Sequence, residues 1–144
     1  MFMGEYNHSI DPKGRLIVPS KLRDELGEKF VVARGMESCL FVYAMDKWMK
    51  IVEKLNGQNI TNESVRKFQR QFIGGAHDCE LDKQGRVLLP PILRTYAGIV
   101  KDAVFIGAGD RIEIWSAERW QAELEAEGDL NTLATNLEVA GLGI

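Results

Sequence analysis

The chain has 144 residues, 45% of them hydrophobic and 27% charged, with a formal net charge of −3; this composition suits one ordinary globular domain and excludes a disordered or fibrous chain. No apolar run approaches the ~20 residues of a membrane helix, and Met1-Phe2-Met3-Gly4-Glu5 lacks the basic-then-apolar pattern of a signal peptide, so a cytoplasmic protein is expected. The charge is uneven: residues 1–76 carry 12 basic and 9 acidic side chains, residues 77–144 carry 6 and 12, and since screening acts within about 10 Å, the overall sign does not exclude a nucleic-acid partner.

Tyr6-Asn7-His8-Ser9 predicts a first strand. Asp11-Pro12-Lys13-Gly14 predicts a turn, in which Pro12 presets φ, Gly14 tolerates the fourth position and Asp11 accepts hydrogen bonds from amides ahead of it. Leu16-Ile17-Val18 is all apolar and predicts a short strand buried on both faces. Pro19 opens a short helix bearing Leu22 and Leu26, which Gly27 stops. Phe30–Ala33 and Leu40–Tyr43 predict a hairpin around Gly35. A helix capped by Asp46 follows, with Trp48, Ile51, Val52 and Leu55 on one face. Gly57-Gln58-Asn59 links it to a helix from about Thr61 to Phe72, with Val65, Phe68 and Phe72 in a stripe, stopped by Gly74-Gly75. The pattern then returns: Val87–Leu89, a helix near Ile92–Ala97, a hairpin of Val104–Ile106 and Ile112–Trp115, and a helix capped by Ser116 with Trp120 and Leu124 inward. The tail past Gly128 is weakly patterned and ends Gly141-Leu142-Gly143-Ile144; it is expected to be loose or ordered by a neighbour.

The return is a duplication. Ile10–Pro19 reappears as Leu81–Pro90 at a constant offset of 71 residues, both copies reading acid, two turn residues, glycine, arginine, three aliphatics, proline. Leu22-Arg23 answers Leu93-Arg94 at the same offset; one inserted residue then makes it 72, so that Gly35 answers Gly107 and Trp48 answers Trp120. The units are residues 5–55 and 76–127, joined by a linker and connecting helix (56–75) and followed by the tail (128–144). Two copies are too few for a solenoid, and a unit of ~50 residues buries too little surface to stand alone. The expectation is one mainly β domain with added helices, an α+β fold with pseudo-two-fold symmetry.

The candidate chemistry lies in the repeated turn. An arginine directly after a tight glycine turn has a fixed root and a free head, whose guanidinium suits a phosphate or a guanine edge. Asp11 and Asp82, four residues before Arg15 and Arg86, are placed to hold it by an ion pair. Lys13, Arg15, Lys83 and Arg86 would share one face, with Gly14 and Gly85 shaping the turns and Arg23 and Arg94 extending the surface. Spacing leaves a second reading open, in which the ion pairs only close the turns. Two rival functions are also open: an aspartic-type hydrolase using Asp11 and Asp82, and an antitoxin-like protein-interaction module using apolar edges and the tail. Arg66, Lys67 and Arg70 form either a contact for the acidic C-terminal helix or a solvated face. Trp48 and Trp120 read as core anchors. Phe2 and Met3 read as a subunit edge or a frayed end. Cys39 and Cys79 read as a reduced, buried pair, and with two histidines in the chain no four-ligand metal site is expected.

The repeated Asp-x-x-x-Arg followed by aliphatics and proline resembles the AbrB-like (SpoVT/AbrB) DNA-binding fold. Further matches are Gly4-Glu5-Tyr6, Val65-Arg66-Lys67-Phe68-Gln69-Arg70, Cys79-Glu80-Leu81-Asp82 and Arg111-Ile112-Glu113-Ile114-Trp115. Two copies in one chain resemble a single-chain regulator of that family linked to the bacterial division and cell-wall gene cluster. The resemblance implies a duplicated swapped-hairpin β-barrel and a sequence-specific transcription regulator. Its partners would be double-stranded DNA, at direct repeats upstream of its own operon, and further copies of itself in a ring. Arg15 and Arg86 would read DNA, supported by Lys13 and Lys83, in a cytoplasmic, nucleoid-associated protein with no cofactor and no small-molecule substrate. Pro12 in one turn and Gln84 in the other make the two turns chemically unequal.

Overall fold

The computed structural model describes residues 1–143; Ile144, the last residue of the tail, lies outside them. In chain order the elements are β1 (Phe2–Ser9), β2 (Arg15–Ile17), α1 (Ser20–Leu26), β3 (Lys29–Arg34), β4 (Leu40–Ala44), α2 (Met45–Asn56), α3 (Glu63–Phe72), β5 (His77–Glu80), β6 (Arg86–Leu88), α4 (Pro91–Ala97), β7 (Asp102–Gly109), β8 (Ile112–Ser116), α5 (Ala117–Glu127) and α6 (Leu130–Val139). The fold is α+β, and every strand pairing is antiparallel.

Six strands form one sheet in the order β1-β7-β8-β4-β3-β5, while β2 and β6 pair with each other as a separate ribbon. The halves interlock. β1 pairs with β7 of the second half, β5 with β3 of the first, and β4 with β8 across the middle. Matching β1 to β5, β3 to β7 and β4 to β8 by the sequence offset makes the strand order read the same from either end.

Among the described residues the hydrogen-bonded strands do not close into the expected barrel; the sheet ends at β1 and β5. The turns lift β2 and β6 away from those edges, and these three-residue strands bond to one another instead. Beyond the ribbon, the Val18 and Leu89 amides donate to the Gly85 and Gly14 carbonyls of the opposite turns at 3.0 and 2.9 Å.

One core lies between the sheet and the ribbon with α1 and α4. It gathers Leu16, Val18, Leu22 and Phe30 from the first half and Val87, Leu89, Leu93 and Phe105 from the second. The second core holds Val31, Phe41, Tyr43, Trp48, Phe72 and Trp115. β3 is buried on both faces, sending Phe30 and Val32 to one core and Val31 and Ala33 to the other.

Several sequence expectations change. Phe2 is only 4% exposed, so it packs in the core rather than fraying or forming a subunit edge. Gly107 permits this, because a Cβ there would collide with the Met3 backbone. β2 and β6 are buried on one face, not two: Leu16 and Val87 are 0% and 1% exposed, whereas Ile17 and Leu88 are 42% and 58% exposed. α2 begins at Met45 with Ala44 at its N-cap, so Asp46 sits inside the first turn and accepts from the Lys47 amide instead of capping. The tail forms α6, capped by Asp129, whose carboxylate accepts from the Thr132 amide at 2.8 Å. Leu124 is exposed rather than inward.

Candidate nucleic-acid interface

Each turn is a carboxylate saturated with donors. In the first, one Asp11 oxygen accepts from the amides of Lys13 and Arg15, both at 2.9 Å, and the other accepts from Arg15 Nε at 2.6 Å. Gly14 N donates to the Asp11 carbonyl at 2.9 Å and closes the loop, with Gly14 at φ 85°. The second turn repeats this atom for atom: Asp82 accepts from the amides of Gln84 and Arg86 at 2.9 Å and from Arg86 Nε at 2.8 Å. The Arg15 amide is the foremost cause holding the Asp11 carboxyl below its ordinary range, with the Arg15 guanidinium adding to it; the Arg86 amide and guanidinium do the same for Asp82. Both acids are therefore carboxylates near neutral pH. A hydrolase dyad needs one of a pair protonated, so this geometry does not support the hydrolytic rival.

The clamps leave the reading edge of each arginine open. Nε is engaged, so Nη1 and Nη2 remain as a fork able to meet two acceptors. The side chains of Arg15 and Arg86 are 32% and 25% exposed, and Arg86 Nη1 lies 4.0 Å from Asp11 Oδ2, which makes the two clamps neighbours. Lys13 and Lys83 are exposed on the same turns.

Arg23 and Arg94 stand behind the turns. Arg23 Nε donates to the Val18 carbonyl at 2.7 Å, and Arg94 Nε donates to the Leu89 carbonyl at 3.0 Å. Each guanidinium then lies under the glycine of the opposite turn: a Cβ on Gly14 would fall 2.9 Å from Arg94 Cζ, and one on Gly85 would strike Arg23. They are half-buried braces between the two copies. Sequence reasoning missed this role, although their recurrence at the offset of the turns was its signal.

The remaining candidates lie elsewhere. On α3, Lys67 pairs with Glu63 at 2.9 Å, and Arg66 donates to the Ile60 and Thr61 carbonyls. Trp48 is buried, and half-buried Trp120 donates its indole N–H to the Glu5 carboxylate. Both cysteines are free thiols: Cys39 is buried, Cys79 is half-buried, and burial pushes the Cys79 thiol up to about 11. Among the described residues no helix is long and apolar enough to cross a membrane.

Residues 1–71 and 72–137 each match the family described as "MraZ protein, putative antitoxin-like". The chain belongs to the MraZ family. The two matched segments meet at residues 71 and 72, in the last turn of α3. Similar proteins named transcriptional regulator MraZ include one from Heliobacterium modesticaldum, 56% identical over 83% of this chain and 84% of that protein. Another, from Lachnoclostridium phytofermentans, is 52% identical over 99% of both chains. A third, from Halothermothrix orenii, is 49% identical over 99% of this chain and all of that one.

Proposed function

We infer that this chain is a sequence-specific, DNA-binding transcription regulator and not an enzyme. It is read as a duplicated AbrB-like unit (5–55 and 76–127), joined by residues 56–75 and followed by the tail 128–144; the palindromic strand order and the interlocked halves support that reading. The observation that carries the function is the pair of aspartate-clamped arginines, side by side on one ribbon face, each hydrogen-bonded through Nε and with Arg86 Nη1 4.0 Å from Asp11 as the one further ion-pair contact among the described residues. A guanine offers O6 and N7 to such a fork, and a two-stranded ribbon fits the major groove. Lys13 and Lys83 add phosphate contacts that position the protein without reading sequence. The regulator role named for its relatives agrees with this chemistry.

One subunit offers few cations, and phosphate contacts are lost steeply with salt. Several subunits closing into a ring over spaced direct repeats would raise the apparent affinity through effective concentration. The sites are read as repeats upstream of the division and cell-wall gene cluster, which places the protein in the cytoplasm on the nucleoid. A protein-interaction role is the second reading, favoured by Leu130, Val139 and Leu142 standing exposed on and beyond α6.

Arg15→Ala with Arg86→Ala separates the two. DNA binding should weaken by about 1–3 kcal/mol per lost contact, with the circular dichroism spectrum retained. Gel-shift affinity unchanged by the double substitution would leave the interaction module standing.

A further inference from the structure

The outer face of the ribbon carries more than two arginines. Leu16 and Val87 lie directly opposite one another and point into the core. Strand alternation therefore turns Arg15, Ile17, Arg86 and Leu88 outward together. The register sets each arginine against an aliphatic: Arg15 faces Leu88, and Ile17 faces Arg86. A single exposed aliphatic needs no explanation. Here two occupy repeat-equivalent positions, 42% and 58% exposed, each beside a clamped guanidinium.

Resting on the DNA-binding function inferred above, we propose that Ile17 and Leu88 are base-reading residues. Each takes the 5-methyl group of a thymine neighbouring a guanine that the opposed arginine reads. Thymine's methyl is the one apolar group among the major-groove edges of the four bases, so it is what an aliphatic can recognise there. Phosphate and sugar hydrogen bonds cannot use such a side chain. The dimensions agree: directly opposed residues have Cβ atoms ~4.5–5.5 Å apart, and base pairs rise by ~3.4 Å. An arginine and its opposed aliphatic thus fall on the same or adjacent steps. A protein partner fits this face less well, because covering it would desolvate two arginine–aspartate pairs along with two aliphatics. On DNA the forks gain acceptors instead.

The test uses the full chain. A pool of randomised duplexes is enriched on the wild-type protein, and the selected duplex is resynthesised with uracil replacing one thymine at a time, which removes only a methyl. At a thymine next to a guanine, wild-type affinity should fall about fourfold, the worth of one buried methyl. In Ile17→Ala or Leu88→Ala that difference should vanish. Wild-type binding insensitive to every uracil replacement overturns the proposal, as does equal sensitivity in wild type and both variants. Variants that change the mass of the assembly while keeping the uracil effect would assign these side chains to a subunit contact and also overturn it. If the wild-type protein enriches no sequence at all, the DNA-binding function itself fails.

Discussion

At the scale of single residues, the aspartates do the organising. Asp11 and Asp82 each gather two amides and a guanidinium, and the amide of the following arginine is the foremost reason that their carboxyls sit low. Their folded pKa lies below the unfolded value of about 3.9. The clamps therefore contribute their full stability above that value and lose it as pH falls through the depressed one. The denaturation midpoint of the wild type should fall more steeply between about pH 5 and pH 3 than that of Asp11→Asn with Asp82→Asn; parallel curves would mean that the carboxylates are not the titrating clamp. Glycine supplies the other half of the turn. Gly14 and Gly27 both have positive φ, 85° and 81°, but a Cβ on Gly14 meets Arg94, whereas one on Gly27 finds open space out to the Lys29 carbonyl at 4.0 Å. Gly27→Ala should cost about 1–3 kcal/mol for its positive-φ backbone alone, with ψ at 173°, and Gly14→Ala more, in urea unfolding. Equal costs would show that the brace is not packed against the turn. The Asp-x-x-x-Arg spacing was legible from the chain because every bond of the clamp is local.

At the scale of elements, the ribbon shows where periodicity stops informing. Leu16-Ile17-Val18 is apolar throughout, which suits a strand covered on both sides. Exposure of Ile17 depends on whether another element covers the ribbon's outer face, and no local pattern records that. The braces are tertiary in the same sense: Arg23 belongs to the first copy but supports the glycine of the second. Arg94→Ala should weaken DNA binding by loosening the Gly14 turn while leaving the dependence on salt unchanged, because no phosphate contact is removed. Lys13→Ala should instead reduce the slope of log affinity against log salt by about 1. A reduced slope in Arg94→Ala would make it a phosphate contact rather than a positioning residue. α6 went unread because its polar face carries no basic residue and its cap, Asp129, follows a run of other acids.

At the scale of the molecule, the halves are one folding unit. β1 finds its partner in β7, β5 finds its partner in β3, and the core between sheet and ribbon draws on both copies. Unfolding should therefore be a single cooperative transition. Residues 1–75 and 76–144, produced separately, should each lack cooperative thermal unfolding by circular dichroism, since each half leaves sheet edges and the ribbon strand unpaired. A sharp melt in either half alone would contradict the interlocked arrangement.

The duplicated turn, its acid and arginine, the hairpins and most helix positions were determined by the sequence itself, since each rests on contacts within a few residues or on a repeat visible in one dimension. Tertiary structure alone decided which copy each strand pairs with, that the sheet stays open at β1 and β5, and which face of the ribbon meets solvent. The physical reason is range. A turn closes on itself, but a strand's partner and a side chain's cover are supplied by segments some seventy to a hundred residues away, and no local pattern of residues encodes them.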